Sequence, residues 1–124
     1  MARILYESDV DASEKRRYVR RHCSLPLEIR TQGSAFPIKG ETTDVSPYGC
    51  YVTLLYTLPT GAVIDIVLWV GETPLRMRGK VTTLDVNVGN GIEFLDMTEE
   101  MRTEVAAYLE KIDAPETGSG FIFR

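Results

Sequence analysis

Apolar and polar side chains alternate at a spacing of two residues through most of this chain, in short segments separated by turn residues. The first segment is His22–Arg30, in which every odd-numbered residue is apolar and Pro26 falls on the polar side. A spacing of two is typical of a half-buried strand, and proline on its outer side suits an edge position or a bulge. Turn residues delimit five later segments, of which Ala62–Val70 is rich in valine, isoleucine, leucine and tryptophan. Further strands are therefore predicted at Ile38–Val45, Cys50–Leu55, Ala62–Val70, Pro74–Asp85 and Gly91–Leu95.

The spacing changes to that of an amphipathic helix only after the last predicted strand. We expect Asp96 to cap this helix, with Glu99 in the position of a capping box. About six short strands with no helix between them, followed by one helix, indicate a mainly β fold, an antiparallel barrel with a C-terminal α-helix packed against it. The apolar face of the helix is predicted to comprise Met101, Val105, Tyr108, Leu109 and Ile112.

The length and the flanks of the chain indicate one domain with two loose ends. At 124 residues the chain suits a single core. We expect a flexible N-terminal arm over residues 1–14, the barrel with its closing helix over residues 15–112, and a C-terminal tail over residues 113–124. We see no signal peptide, and no apolar stretch approaches the roughly 20 residues of a membrane helix. The expectation is therefore a cytoplasmic protein without membrane insertion.

Positive charge is concentrated in one stretch of an otherwise acidic chain. The net charge is −4, with 14 basic and 18 acidic residues. The stretch Lys15–Arg21 holds five of the basic residues and no acidic one. An acidic body argues against nucleic-acid binding by the surface as a whole, whereas one basic patch favours a small, local anionic partner. No nucleic acid is therefore expected among the partners.

Metal binding and catalysis lack the residues that they need. His22 is the only histidine, and Cys23 and Cys50 form no C-x-x-C pair, so a metal site has too few soft or imidazole ligands. Both cysteines are expected in strands as small apolar residues. A nucleophile needs a partner base, and Ser46 has none in its own segment. The chain is therefore expected not to be an enzyme.

Two short polar motifs lie before the first predicted strand and between the second and third. Arg16 and Arg20 form an R-x-x-x-R pair, and Asp44-Val45-Ser46-Pro47-Tyr48-Gly49 forms a D-x-S-x-x-G turn. Each is ordinary alone, because a basic run is usually a solvated face and such a string is usually a turn. In this order, in an all-β chain, the two motifs resemble the signature of the PilZ domain family.

The resemblance extends from about Lys15 to Ile112 and also includes Leu25-Pro26-Leu27 and Gly91-Ile92-Glu93-Phe94. It implies a six-stranded antiparallel PilZ-like β-barrel with a C-terminal α-helix. It also implies that the chain binds cyclic di-GMP as its ligand, needs no cofactor, and signals by a conformational change to a downstream protein, which the sequence does not identify. The ligand-binding residues that it implies are Arg16, Arg17, Arg20, Asp44, Ser46 and Gly49, with Lys15 and Arg21 as further candidates.

The arginine motif fits the sequence in two registers, because Arg17-x-x-x-Arg21 has the same spacing. We prefer Arg16 and Arg20, since relatives usually place a leucine-proline pair at the offset that Leu25-Pro26 has from Arg20. Lys15 then stands where many relatives carry arginine. That difference leaves open whether one or two ligand molecules bind.

The residue types also suit a guanine dinucleotide on physical grounds. Arginine forks match phosphate oxygens and the O6/N7 edge of guanine. The Asp44 carboxylate can accept from guanine N1–H and N2–H, Ser46 can donate or accept, and Gly49 allows positive φ or a close backbone approach.

Two alternatives stay open: a nucleic-acid or other polyanion binder, and a ligand-free protein-interaction adaptor on the same fold. The first leaves the D-x-S-x-x-G turn unexplained, since its carboxylate would repel a polyanion.

Overall fold

The computed structural model describes residues 20–113 of the chain. The predicted arm, residues 1–14, and the part of the predicted tail beyond residue 113 lie outside the described residues. The elements in the described range are β1 (Arg21–His22), β2 (Pro26–Arg30), β3 (Ile38–Ser46), β4 (Gly49–Thr53), β5 (Val63–Val70), β6 (Thr73–Asp85), β7 (Gly89–Phe94) and α1 (Glu99–Asp113).

Six of these strands close into an antiparallel barrel. Neighbouring strands follow the order β3-β2-β5-β6-β7-β4, and β4 pairs back with β3 to complete the ring. The long strand β6 pairs with β5 along its first half and with β7 along its second. The six-stranded antiparallel barrel with a C-terminal helix that the sequence predicts is therefore confirmed. Closure also means that the barrel strands present no long unpaired edge.

The core consists of the inward-facing residues of the barrel strands. In β5, Ile64, Ile66 and Leu68 are buried, whereas Val63 and Asp65 point outward and are exposed. Each fully buried aliphatic side chain of this kind contributes about 1.5–3 kcal/mol relative to leaving it in water. The same alternation buries one face of every barrel strand, including Leu27, Ile29, Val45, Val52, Val81 and Ile92.

The predicted strand His22–Arg30 is divided into β1 and β2, and both pair with β3. Between them, the hydroxyl of the buried Thr42 accepts the N–H of Leu25 at 2.9 Å and donates to the carbonyl of Cys23 at 2.6 Å. This side chain thus satisfies backbone groups that a continuous ladder would have paired. Cys23 therefore lies between two strands, not within one as predicted, whereas Cys50 is buried in β4.

The start of α1 differs from the prediction. Thr98 caps the helix, because its hydroxyl accepts the N–H of Met101 at 3.1 Å. The predicted cap, Asp96, instead accepts two hydrogen bonds from Arg78 on β6, from the backbone N–H at 2.7 Å and from Nε at 3.1 Å. The capping-box prediction with Glu99 is wrong because a neighbouring strand competes for the same carboxylate.

The helix packs on the barrel through part of its predicted apolar face and contacts β3 and β5. Val105 and Leu109 are buried, and Met101 and Tyr108 are partly buried against the core. Ile112 is 44% exposed, so the predicted face extends one residue too far. Within residues 20–113, no helix is both long and apolar enough to cross a membrane.

Two strand boundaries near the β6–β7 turn also differ from prediction. Asn87 adopts a left-handed φ of 62° in this turn, and β7 begins at Gly89, two residues before the predicted start. β4 ends at Thr53, so Leu55 lies in the following connection and is 72% exposed. Both differences follow from the pairing of β4 with β7, which ends at Thr53↔Gly89.

Candidate functional site

The segment that enters the barrel lies against the second half of β3. β1 pairs with β3 through Arg21↔Val45 and His22↔Asp44. This pairing places the guanidinium of Arg20 beside the Asp44 carboxylate, with Nη1 3.2 Å from Oδ1. The two side chains are 43% and 28% exposed, so solvent reaches the pair. An ion pair of this kind contributes little to stability, and its members can exchange to another partner.

The turn after β3 is tight and largely buried. Ser46 pairs with Gly49 across it. The hydroxyl of Ser46 accepts the N–H of Tyr48 at 3.1 Å, and only 4% of the serine is exposed. The carbonyl of Tyr48 accepts the N–H of Phe94 on β7 at 2.9 Å. Ser46 therefore stabilises the turn, because its buried hydroxyl oxygen accepts a backbone N–H in place of a backbone carbonyl.

Gly49 is required by crowding and not by an unusual backbone angle. A Cβ added there would collide with the carbonyl oxygen of Ile92 on β7 and would lie 3.4 Å from Nη2 of Arg20. The left-handed glycines of the described chain are Gly33, Gly61 and Gly71. Of the two predicted reasons for glycine at this position, the structure supports close approach. The missing side chain lets β4 approach the backbone of β7 closely, and the Arg20 guanidinium lies beside this glycine.

The structure thus brings the two sequence motifs together at one place on the barrel. Four of the predicted site residues lie together there: Arg20, Asp44, Ser46 and Gly49. The arginine and the aspartate are 24 positions apart in the sequence. Arg21 lies on β1, opposite Val45. Three predicted site residues lie outside the described residues: Lys15, Arg16 and Arg17. Their roles, and the choice between the two arginine registers, stay predictions.

The helix α1 contacts the turn through a residue that sequence reasoning missed. The guanidinium of Arg102 lies over the ring of Tyr48, 4.7 Å from its centroid. Its Nη1 donates to the carbonyl of Met97 at 3.1 Å, and its Nε is buried with no hydrogen-bond partner among the described residues. A cation over an aromatic face is attracted by the ring quadrupole. This contact therefore links the helix directly to the motif turn.

A second missed residue, Tyr51, follows the turn on β4 and lies directly across from Asp44 on β3. Its hydroxyl donates to Oδ2 of Asp85 at 2.6 Å. The hydrogen bond to this carboxylate, with smaller contributions from burial and nearby negative charge, raises the pKa of Tyr51 to about 12. The phenol is therefore protonated at neutral pH. Its outward position two residues after Gly49 is the signal that could have drawn attention to it.

Beneath the site lies the thiol of Cys50, which pairs with Val45 and is fully buried. Burial raises its pKa to about 12. The nearby charges have smaller effects, since Arg20 lowers this pKa and Asp44 raises it. The thiol is therefore neutral at physiological pH and is not a nucleophile. In the described range, residues 20–113, no cluster of histidine, cysteine, aspartate or glutamate could hold a metal ion. The groups at the site are suited to recognition of a ligand.

Known proteins resemble the chain in sequence pattern and in fold. The PilZ domain family matches residues 14–111. No curated protein sequence matches the chain significantly. Among solved structures, the PilZ domain of CeSA from a cellulose-synthesizing bacterium superposes with a TM-score of 0.60 at 14% identity, and the match covers 77% of this chain and 98% of that one.

Two further similar structures contain cyclic di-GMP. YcgR from Escherichia coli, in complex with c-di-GMP, has a TM-score of 0.67 at 13% identity, over 80% of this chain and 46% of that one. PlzA from Borreliella burgdorferi, also in complex with c-di-GMP, has a TM-score of 0.51 at 17% identity, over 81% of this chain and 45% of that one. The chain thus spans about half the length of these two relatives. At such low identity, the structural similarity establishes the fold.

Proposed function

This chain belongs to the PilZ domain family, and we propose that it binds cyclic di-GMP and passes the signal to a partner protein. The observation that carries the proposal is the contact of Arg20 with Asp44, which lies 24 positions later in the sequence, and with the nearby Gly49. Nothing in the barrel core requires this meeting, because Arg20 precedes the first strand and its side chain is outside the apolar set. A recognition role explains it.

In the proposed site, each group meets a different part of the ligand. The guanidinium of Arg20 is planar and always charged, so it suits a phosphate or the O6/N7 edge of a guanine. The carboxylate of Asp44 accepts from N1–H and N2–H of a guanine. Ser46 and Gly49 hold the turn backbone where a ligand can approach it closely. We assign Arg16 and Arg17, with Lys15 and Arg21 as further candidates, to the second side of the ligand.

The sequence predicts that ligand binding orders the segment from about residue 10 to residue 21. Because Arg20 and Arg21 already lie against β3, we further propose that this ordering concerns the part of the segment before Arg20. Its basic run carries no acidic residue, so a counter-charge is needed to hold the arginines together. Two phosphates supply that counter-charge and connect the segment to the rigid β3–β4 turn. A newly ordered segment presents a new surface, through which a binding module without catalytic groups can signal to a partner protein.

Titration calorimetry of the full chain tests the binding proposal. We expect cyclic di-GMP to bind well above GMP and above a generic DNA oligonucleotide at the same ionic strength. The oligonucleotide is the control for simple charge attraction, whose affinity falls steeply with salt through counterion release. Comparable affinity for all three, falling together as salt rises, would identify a polyanion binder and overturn the proposal.

Replacing Asp44 tests its assigned role. Asp44→Ala should weaken cyclic di-GMP binding and reduce the preference for cyclic di-GMP over cyclic di-AMP, because adenine lacks the paired N–H donors on that edge. A carboxylate that only shapes the turn would change both affinities equally, so equal losses would reassign Asp44 to structure.

Amide hydrogen exchange tests the ordering of the segment. High protection without ligand, unchanged on binding, would rule the ordering out.

A further inference from the structure

The outer face of the barrel carries an aromatic ring beside the proposed site. Tyr51 on β4 is the direct cross-strand partner of Asp44 on β3. Directly opposite residues of an antiparallel pair have Cβ atoms about 4.5–5.5 Å apart and share one face of the sheet. The ring is therefore a neighbour of the carboxylate that holds Arg20. Tyr51 belongs to neither sequence motif.

A glycine on β7 makes room for this ring. Gly91 is the cross-strand partner of Tyr51 on that side, and a Cβ added to the nearby Gly89 would lie 2.8 Å from Cε2 and 3.2 Å from Cζ of the ring. Real Cβ atoms do not approach so closely. The ring therefore occupies the space that a side chain at Gly89 would fill, and it lies over β7.

The far end of the ring is also held in place. The hydroxyl of Tyr51 donates to Oδ2 of Asp85 at 2.6 Å, and Asp85 on β6 pairs with Gly89 on β7. The tyrosine thus crosses from β4 over β7 to β6 and is fixed at both ends. A rigid aromatic side chain loses little conformational entropy when a ligand binds to it.

We propose that Tyr51 forms a base-stacking subsite, on which one guanine of the bound dinucleotide stacks while the edge of that guanine meets Asp44. The inference rests on the proposed function and extends it to a residue outside both motifs. Stacking on an aromatic ring tolerates any base, because every base has a π-face. The ring therefore supplies affinity, and Asp44 selects guanine.

The alternative role for Tyr51 is structural, since the ring covers a gap over glycine and its hydroxyl joins β4 to β6. Two substitutions separate these roles. Tyr51→Phe keeps the ring and removes the bond to Asp85, whereas Tyr51→Leu removes the ring as well. A purely structural role predicts that the substitutions lower the free energy of unfolding and leave the affinity of the folded chain for cyclic di-GMP unchanged.

Titration calorimetry with cyclic di-GMP gives the first test. We expect Tyr51→Phe to bind almost as tightly as the unchanged chain, and Tyr51→Leu to lose about 5- to 150-fold in affinity, the range for one stacked base. The matched control is Tyr56→Leu, because Tyr56 is 81% exposed in the connection after β4. It should bind like the unchanged chain. Equal affinity of Tyr51→Leu and the unchanged chain would overturn the subsite.

Proton NMR of the bound ligand gives a second test, whose decisive measurement is made on the unchanged chain. A guanine stacked on the ring shows its H8 resonance shifted upfield by the ring current. The shift should be present with the unchanged chain and Tyr51→Phe, and absent with Tyr51→Leu. Binding by the unchanged chain without an upfield shift would overturn the subsite and leave the proposed function intact. No binding at all by the unchanged chain would contradict the proposed function itself.

Discussion

Two arginine–aspartate pairs of nearly equal length lie in different regions of this barrel. Arg20 and Asp44 meet at the β3–β4 turn with a nitrogen–oxygen distance of 3.2 Å, and Arg78 and Asp96 meet beside the start of α1 at 3.1 Å. The second pair is the more exposed, with side chains 57% and 46% accessible against 43% and 28%. Neither distance nor exposure therefore shows which pair belongs to the fold.

The difference lies in what else each carboxylate binds. Asp96 also accepts the backbone N–H of Arg78 at 2.7 Å, so it satisfies a main-chain donor of β6. The described contacts of Asp44 include no main-chain donor; its hydrogen bond is to the side chain of Arg20. A backbone donor cannot move without the strand, whereas a guanidinium can rotate away. This comparison assigns Asp96 to the fold, whereas the partner of Asp44 is a side chain that can be exchanged, as the proposed function requires.

Removing the arginine of each pair should give the largest contrast. We expect Arg20→Ala to weaken cyclic di-GMP binding by about 1–3 kcal/mol, or roughly 5- to 150-fold, the range for a lost bidentate contact to guanine. Arg78→Ala makes the same change in charge in the other pair and should leave the affinity unchanged. Calorimetric titration measures both. Equal losses would mean that long-range charge, and not the position of Arg20, determines binding.

The fold was predictable because its signal is repeated in every strand. Alternation along His22–Arg30 predicts that Leu25, Leu27 and Ile29 share one face, and the structure buries all three. Strand ends were less predictable, because they depend on the partner strand. β7 begins at Gly89 since β4 pairs with it as far as Thr53, and no local feature of the sequence reports that pairing.

The site was predictable only where residues belong to a motif. Arg20, Asp44 and Gly49 were identified from their order and spacing, and the structure brings them together. Tyr51 was missed because an outward aromatic residue in a strand is ordinary, and the space for its ring depends on Gly89 in another strand. Asp96 was assigned to the helix cap because the sequence does not show that Arg78 competes for it.

Removing the aspartate of each pair should reverse the contrast, now in stability. Asp96→Ala leaves the backbone N–H of Arg78 without its acceptor, and we expect a loss of about 1 kcal/mol in the free energy of unfolding. Asp44→Ala breaks a side-chain pair and should cost less than about 0.5 kcal/mol. Urea unfolding followed by circular dichroism measures both. A larger loss for Asp44→Ala would show that the β3–β4 pair supports the fold.

The smallest expected effect concerns the pH dependence of stability. The hydrogen bond from the backbone N–H of Arg78, with smaller contributions from its side chain, holds the pKa of Asp96 below its usual range. A carboxyl group whose pKa is lowered by folding stabilises the folded state at pH values above its pKa in the unfolded chain. This contribution is lost as the pH falls through the lower pKa of the folded state.

Asp96→Asn removes the titrating group and keeps a side-chain oxygen that can accept from the backbone of β6. The difference in unfolding free energy between the unchanged chain and this variant should therefore be largest near neutral pH. It should shrink as the pH falls below about 3.9, the ordinary pKa of aspartate. Urea titrations over a series of pH values measure this difference. A difference that stays constant with pH would show that Asp96 acts through the shape of its side chain, and the contrast with Asp44 would then not depend on charge.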